Sequence, residues 1–387
     1  MVDAYIVEAV RTAGGRRGGQ LADWHPVDLA GEVLSAVVDR SGMDPNAIDD
    51  VVLGCSSMVG EQSMGVARYA VLASRLPETV PAVSIDRRCG SSQQALQFAA
   101  QAVMSGVQDV VIAAGVESMT RVPLFSSVKL AVDAGMGAGP CTERVKKRFG
   151  VQEFSQFVGA QMIADKYNFT RTQLDEFALE SHRRAAAATL SGAFKEEILP
   201  LPGRDGRIAE RDEGIRYDAS MEALAALKPL GEGARITAGS ASQICDGSAG
   251  LLVMNEKAMK AHGLAPLARI HAMTVTAGDP VMMLLEPVRA TRRALARAGV
   301  KIEDIDLYEV NEAFAPVPLA WLQEIEADPA RMNVNGGAIA LGHPLGATGA
   351  KLMTTLIHAL RVKKKRWGLQ AMCEVGGLAN VTIIEAL

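Results

Sequence analysis

The sequence predicts an α/β protein of two similar halves separated by a long insertion, and three observations carry that expectation. The first is composition. Of 387 residues 49% are hydrophobic, only 4% are aromatic and 37 are glycine, which suits a large core of small aliphatic side chains with backbones in close approach. The second is an internal echo: "SGMDPNAIDDVVLG" (41–54) resembles "AGVKIEDIDLYEV" (298–310), with Gly42 and Gly299, Ile48 and Ile305, and Asp49 and Asp306 each 257 positions apart. The third is a further echo at nearly the same offset. The helical pattern after Cys89, followed by "DVVIAAG" (109–115), parallels "GATGAKLMTTLIHAL" (346–360) followed by "GLQAMC" (368–373).

Taken in chain order, the first half spans residues 1–117. An amphipathic helix stops at Gly42, a short connector follows and a β-rich run begins, the usual order at a glycine helix end. A short apolar strand then runs into Cys89, and Leu96, Ala99, Ala100 and Val103 recur on one side of the helix that follows. The insertion, 118–250, breaks this rhythm with the Gly/Pro-punctuated stretches "DAGMGAGP" and "LPGRDGR" and one helix expected over 172–191. Thr172 and Asp175 would form its capping box, and Gly192 would follow its end. Excursions of this size on a rigid scaffold tend to carry binding surfaces. The second half, 251–387, repeats the first, with a period far too long for a solenoid.

Charge and cysteine usage narrow the function. A net charge of −4 gives no global attraction for nucleic acid or an anionic membrane. The basic run "RVKKKR" (361–366) reads as a solvated helix end. No stretch approaches a membrane span, and "MVDAYIVEAVRTAGG" lacks the pattern of a secretory signal. Cys55, Cys89, Cys141, Cys245 and Cys373 are odd in number, scattered and without a CxxC pair. That argues against a disulfide framework or a cysteine metal site and for a reducing, cytoplasmic setting.

Cys89 then stands out, because a helix N-terminus favours the thiolate, the nucleophilic form; the ordinary alternative is a small packed cysteine. His25, His182, His262, His271 and His358 lie in unremarkable helix or loop contexts. His343 sits in the glycine-rich loop "NVNGGAIALGHPLGATGA" (333–350) directly before a proline, which brings backbone close and fixes the imidazole's approach. Cys373 ends a strand and is the repeat partner of Gly115, and strand ends in such sheets are where ligands bind. Asn311 and Glu312 close another strand before a helix, where Asn311 could equally be a cap.

These segments carry a family resemblance. "CGSS", "GVESM", "ITAGSASQICDG", "NEAF", "NGGAIALGHPLGATG" and "CEVGG" occur in the order and spacing of the thiolase family. The resemblance covers essentially the whole chain. It implies a thiolase fold, two βαβαβαββ halves in a five-layered αβαβα arrangement with a loop domain inserted in the first half. It also implies an acyltransferase cleaving 3-oxoacyl-CoA with CoA by a ping-pong route. Cys89 would be the nucleophile and acyl carrier, His343 its base, and Cys373 the acid and base of the acetyl-CoA carbon. Asn311 would position a water beside His343, and backbone N–H groups of Cys89 and Val375 would form a second oxyanion hole. Ser242 in "GSAS" would contact pantetheine, Arg216 the CoA adenine, and Phe314 would line the tunnel. CoA is a co-substrate; no metal or organic cofactor is implied, since the thioester supplies the activation. Partners implied are a second copy, as homodimer or homotetramer, and a dehydrogenase–hydratase subunit.

Two departures from the family pattern bear on activity. The usual Cys-x-Gly-Gly reads Cys373-Glu374-Val375-Gly376-Gly377 here, and a β-branched residue is poorly suited to φ > 0 and would crowd an acyl pocket. Ser155 and Gln156 stand where biosynthetic thiolases carry a His-Met pair, which favours a degradative 3-ketoacyl-CoA thiolase over an acetyl-CoA acetyltransferase. A decarboxylating condensing enzyme of the same superfold would lack a second reactive cysteine, so Cys373 opposes that reading. A silent acyl-CoA-binding relative is supported only by Val375.

Overall fold

Both echoes become sheets. In the computed structural model, which describes residues 2–387, the first half supplies β1 (Tyr5–Thr12), β2 (Asp50–Gly54), β3 (Ala82–Ile85), β4 (Val110–Ser118) and β5 (Cys245–Met254). The second supplies β6 (Ala268–Ala277), β7 (Leu307–Val310), β8 (Trp367–Glu374) and β9 (Leu378–Ala386). Their order is β7-β8-β9-β6-β1-β5-β4-β2-β3. Each half has the same pairing: β2 with β4 and β7 with β8 are parallel, whereas β4 with β5 and β8 with β9 are antiparallel. The halves join where β1 meets β6, through the pairs Tyr5–Arg269 and Ile6–Ala268.

The helices make the layers: α1 (Pro26–Ser41), α2 (Val66–Ala73), α3 (Ser91–Ser105), α4 (Gln156–Lys166), α5 (Arg171–Leu190), α6 (Glu286–Ala298), α7 (Pro316–Ile325) and α8 (Thr348–Val362). Three apolar clusters define the stacking. Leu34 and Val37 of α1 and Ala70 of α2 pack on Val51 and Ile112 of the first sheet. Leu96 and Ala100 of α3 and Met353 and Leu356 of α8 fill the space between the two sheets. Val288 of α6 and Trp321 of α7 cover Leu369 and Val381 on the far side. The result is the five-layered αβαβα arrangement. Matching helices stop in matching ways, since α1 ends at Gly42 with φ 66° and α6 at Gly299 with φ 67°.

Two expectations are corrected. The capping box of α5 is Thr170 with Gln173, not Thr172 with Asp175. The Thr-x-x-Gln spacing already occurs two residues earlier, and Asp175 turns inward to accept from Arg171 Nε at 2.6 Å. The expected boundary at 250/251 falls inside β5, every residue of which is buried between β1 and β4, so the first half runs on past it. Among the described residues no helix is long and apolar enough to cross a membrane, and all five cysteines are free.

Candidate active site

Cys89 lies in the turn between β3 and α3. The turn is closed by Ser91, whose Oγ accepts from Arg87 N at 2.9 Å and donates to Arg88 O at 2.6 Å. Arg88, just before the cysteine, is held at φ 51°, a costly conformation that neighbouring structure must impose. Cys89 is buried against Leu345, Leu352 and Met372. Burial pushes its thiol well above the ordinary range, with Cys373 and Glu374 adding to the shift. The helix N-terminus predicts the opposite, and desolvation outweighs it.

His343 is held from three sides. Its backbone N–H donates to Gln243 O at 3.1 Å, and Gly346 N in the same loop donates to Glu117 Oε2 at 2.8 Å. Gly342 takes φ 83°, and a Cβ there would press on Cys245. The ring's Nδ1 lies 2.7 Å from Thr348 Oγ1, and Thr348 Oγ1 donates to Pro344 O at 2.9 Å. We assign the single hydroxyl proton to Pro344 O, which makes Nδ1 the protonated nitrogen and the donor. Nε2 is left as a free lone pair, buried and unpartnered. Burial, aided by the charge of Lys351, lowers His343 to about 3. It is a neutral imidazole whose basic nitrogen has no protein partner.

Cys373 and Asn311 meet directly, with Asn311 Nδ2 donating to Cys373 Sγ at 3.8 Å. Asn311 is not a helix cap: α7 starts five residues later, after Ala315. Its Oδ1 is buried without a partner. Burial pushes the Cys373 thiol up to about 12. Val375 does not carry the strain expected of it. In the β8–β9 turn the positive φ angles fall on Gly376 (96°) and Gly377 (77°), and Val375 is not among the non-glycine residues with positive φ. Its side chain packs half-buried against the cluster of Met283, Phe314 and Cys373.

A cavity of about 880 Å³ opens onto this region, and its wall includes His343, Ser242, Phe314, Arg216, Gln156 and Leu345. Ser242 is placed by its N–H donating to Ala313 O at 3.0 Å, and Phe314 by an edge-to-face contact with Phe157 at 5.5 Å. Arg216 is exposed, its backbone N–H donating to His182 Nδ1 at 3.2 Å. Cys89, Cys373 and Asn311 are not on the wall. Leu345 connects the two regions, lining the cavity and packing on Cys89.

Against this geometry, family comparison matches residues 4–257 to the thiolase N-terminal domain and 264–386 to the thiolase C-terminal domain. The chain belongs to the thiolase family. This thiolase is 51% identical to the steroid 3-ketoacyl-CoA thiolase FadA6 of Mycobacterium tuberculosis, over 100% of the chain and 95% of that protein. It is 40% identical to a 3-ketoacyl-CoA thiolase of Serratia proteamaculans, covering 100% of both. Among solved structures, the Bacillus anthracis acetyl-CoA acetyltransferase superposes with TM-score 0.90 at 36% identity, covering 100% of this chain and 99% of that one. The chain is accordingly an acyltransferase of the thiolase class.

Several supporting residues lie in or beside the family motifs but were given no role there. Glu312 accepts from Ser181 Oγ at 2.7 Å, Asn333 Nδ2 at 2.8 Å and Ile339 N at 3.1 Å, fastening the glycine-rich loop. Glu117 joins that loop to Ser56 and Ser57, whose N–H groups it accepts at 2.8 and 3.1 Å. Glu312, Glu117 and Thr348 all fall inside those motifs, but their partners are distant in sequence or visible only in the folded loop.

Proposed function

We propose that this thiolase cleaves 3-oxoacyl-CoA with CoA, giving acetyl-CoA and an acyl-CoA shorter by two carbons. His343 Nε2 takes the Cys89 proton as the sulfur attacks the 3-oxo carbon. The bond between the second and third carbons breaks, and its electron pair leaves as the acetyl-CoA enolate, whose carbon takes the Cys373 proton. The acyl group stays on Cys89 as a thioester. The Cys373 thiolate then deprotonates incoming CoA, whose sulfur attacks the thioester, and departing Cys89 recovers its proton from His343. N–H groups of Cys89 and Val375 and a water on Asn311 would hold the developing oxyanions. The observation that carries the reading is the pinned, neutral His343 with a free Nε2, on a cavity wall shared with Leu345, which packs on Cys89 behind it. A neutral base beside two neutral thiols is what a cycle of proton transfers requires.

Ser242 and Phe314 suit pantetheine, and Arg16 and Arg17, with Arg216, supply cations on the same wall for the CoA phosphates. The reading needs no resident cofactor. Ser155 and Gln156, the latter on the wall, stand in place of the histidine-methionine pair of biosynthetic enzymes, which favours the degradative direction. Five free cysteines suit a cytoplasmic setting, and a homodimer or homotetramer, with or without a dehydrogenase–hydratase partner, is the assembly we propose. The relative named for steroid substrates makes a bulky polycyclic acyl group the first to test beside linear chains. The assay is CoA-dependent loss of 3-oxoacyl-CoA across such a panel. Cleavage by the wild type and none by Cys89→Ala supports the reading; no cleavage of any substrate by the wild type overturns it.

A further inference from the structure

The carboxyl group of Glu374 is fully buried at the end of β8, and neither oxygen has a hydrogen-bond partner. It lies against the backbone of Gly90, the residue after Cys89, so closely that a Cβ at position 90 would collide with Oε1. From β9, Asn380 closes the other side, its Nδ2 donating to Gly90 O at 3.2 Å. The charged and titratable groups facing Glu374 are Arg87, Asp86 and Cys89 from the turn before α3, and Cys373 on its own strand. Arg87, the one cation among them, leaves its own Nε buried and unpartnered. No motif assigned Glu374 a role, and a buried carboxyl with no hydrogen-bond partner costs stability, so its presence calls for a functional reason.

Resting on the assignment of Cys89 as nucleophile, we propose that Glu374 is a positioning residue that opposes ionisation of Cys89 and Cys373. Once ionised, it reserves thiolate formation for the step in which His343 takes the proton, and keeps Cys373 an acid during cleavage. The physics is that of like charges in one dry site, where the first to ionise raises the cost of the next. Burial pushes Glu374 up to about 8, so it ionises before either thiol and its charge then stands between them and the thiolate.

The test follows labelling of Cys89 by iodoacetamide, read by peptide mass spectrometry across a pH series in wild type, Glu374→Gln and Glu374→Met. The wild-type and Glu374→Gln profiles should coincide below about pH 7, where the carboxyl is neutral. They should separate above its titration near 8, the variant labelling about tenfold faster if the thiol midpoint falls by one unit. Coincident profiles over the whole range would overturn the proposal, since replacing a carboxyl that only fills space changes the melting temperature and leaves the midpoint alone. Should the glutamine variant fold poorly, methionine fills the same volume without a polar atom and gives the same readout. Wild-type Cys89 reacting no faster than buried Cys245 would be a separate failure, of the nucleophile assignment itself.

Discussion

Thr348 decides which nitrogen of His343 is basic. With its one proton committed to Pro344 O, the hydroxyl can only accept from Nδ1, and the lone pair is left on Nε2. Thr348→Val keeps the shape and removes the acceptor. We expect kcat to fall on the order of 10- to 100-fold with KM for CoA nearly unchanged; an unaltered kcat would show that the tautomer is set elsewhere. Val375 leads to the opposite expectation. Because Gly376 and Gly377 carry the positive φ angles, Val375→Gly relieves nothing. It should leave kcat within about twofold and cost about 1 kcal/mol of stability through lost packing and a freer unfolded chain. A tenfold gain in kcat would mean that the valine does obstruct the site. Cys89, His343 and Cys373 could be singled out at this scale because short, specific motifs surround them. Glu374 was passed over because its significance lies in Gly90 and Asn380, which are distant in sequence.

A buried ion cluster ties the elements that carry the histidine loop. Arg11 on β1 pairs with Glu197 at 2.6 Å and with Asp212 at 2.9 Å, Gly14 N donates to Asp212 at 2.7 Å, and Lys351 on α8 lies 3.4 Å from Asp212. Lys351 also donates to Leu341 O, two residues before His343. Removing one member leaves its partners charged and dry, so Asp212→Ala should cost about 3–5 kcal/mol in urea unfolding. A loss below about 1 kcal/mol would show that the cluster relaxes freely. Nothing in the sequence announced this cluster, because residues 11, 197, 212 and 351 each read alone as an ordinary surface charge. The repeated helices and strands were legible for the converse reason, since apolar spacing and the glycine stops at Gly42 and Gly299 are local signals.

For the molecule as a whole, the same local signals revealed the two-sheet plan, whereas the seam between β1 and β6 did not show, because strand partners are chosen by contacts that no short stretch records. The boundary at β5 was misplaced for a related reason: a continuous apolar strand has no composition shift to mark it. Stability should carry the imprint of burial through pH. His182 is held down to about 4 by burial and by Arg216, so on acidification from its ordinary range the unfolded chain takes up a proton that the native state refuses. Stability from this group is therefore lost as pH falls from about 6.5 to about 4. The gap in unfolding free energy between wild type and His182→Gln should narrow over that window by a few kcal/mol. A gap independent of pH would contradict the buried, neutral assignment.

The most direct test of the central claim is to mix the enzyme with a 3-oxoacyl-CoA that it cleaves, without added CoA, quench in acid and map acyl adducts by peptide mass spectrometry. The account predicts one acyl thioester, on Cys89, released on adding CoA and absent from Cys89→Ala. An adduct on Cys373 instead, or cleavage with no acyl-enzyme at any cysteine, would contradict it.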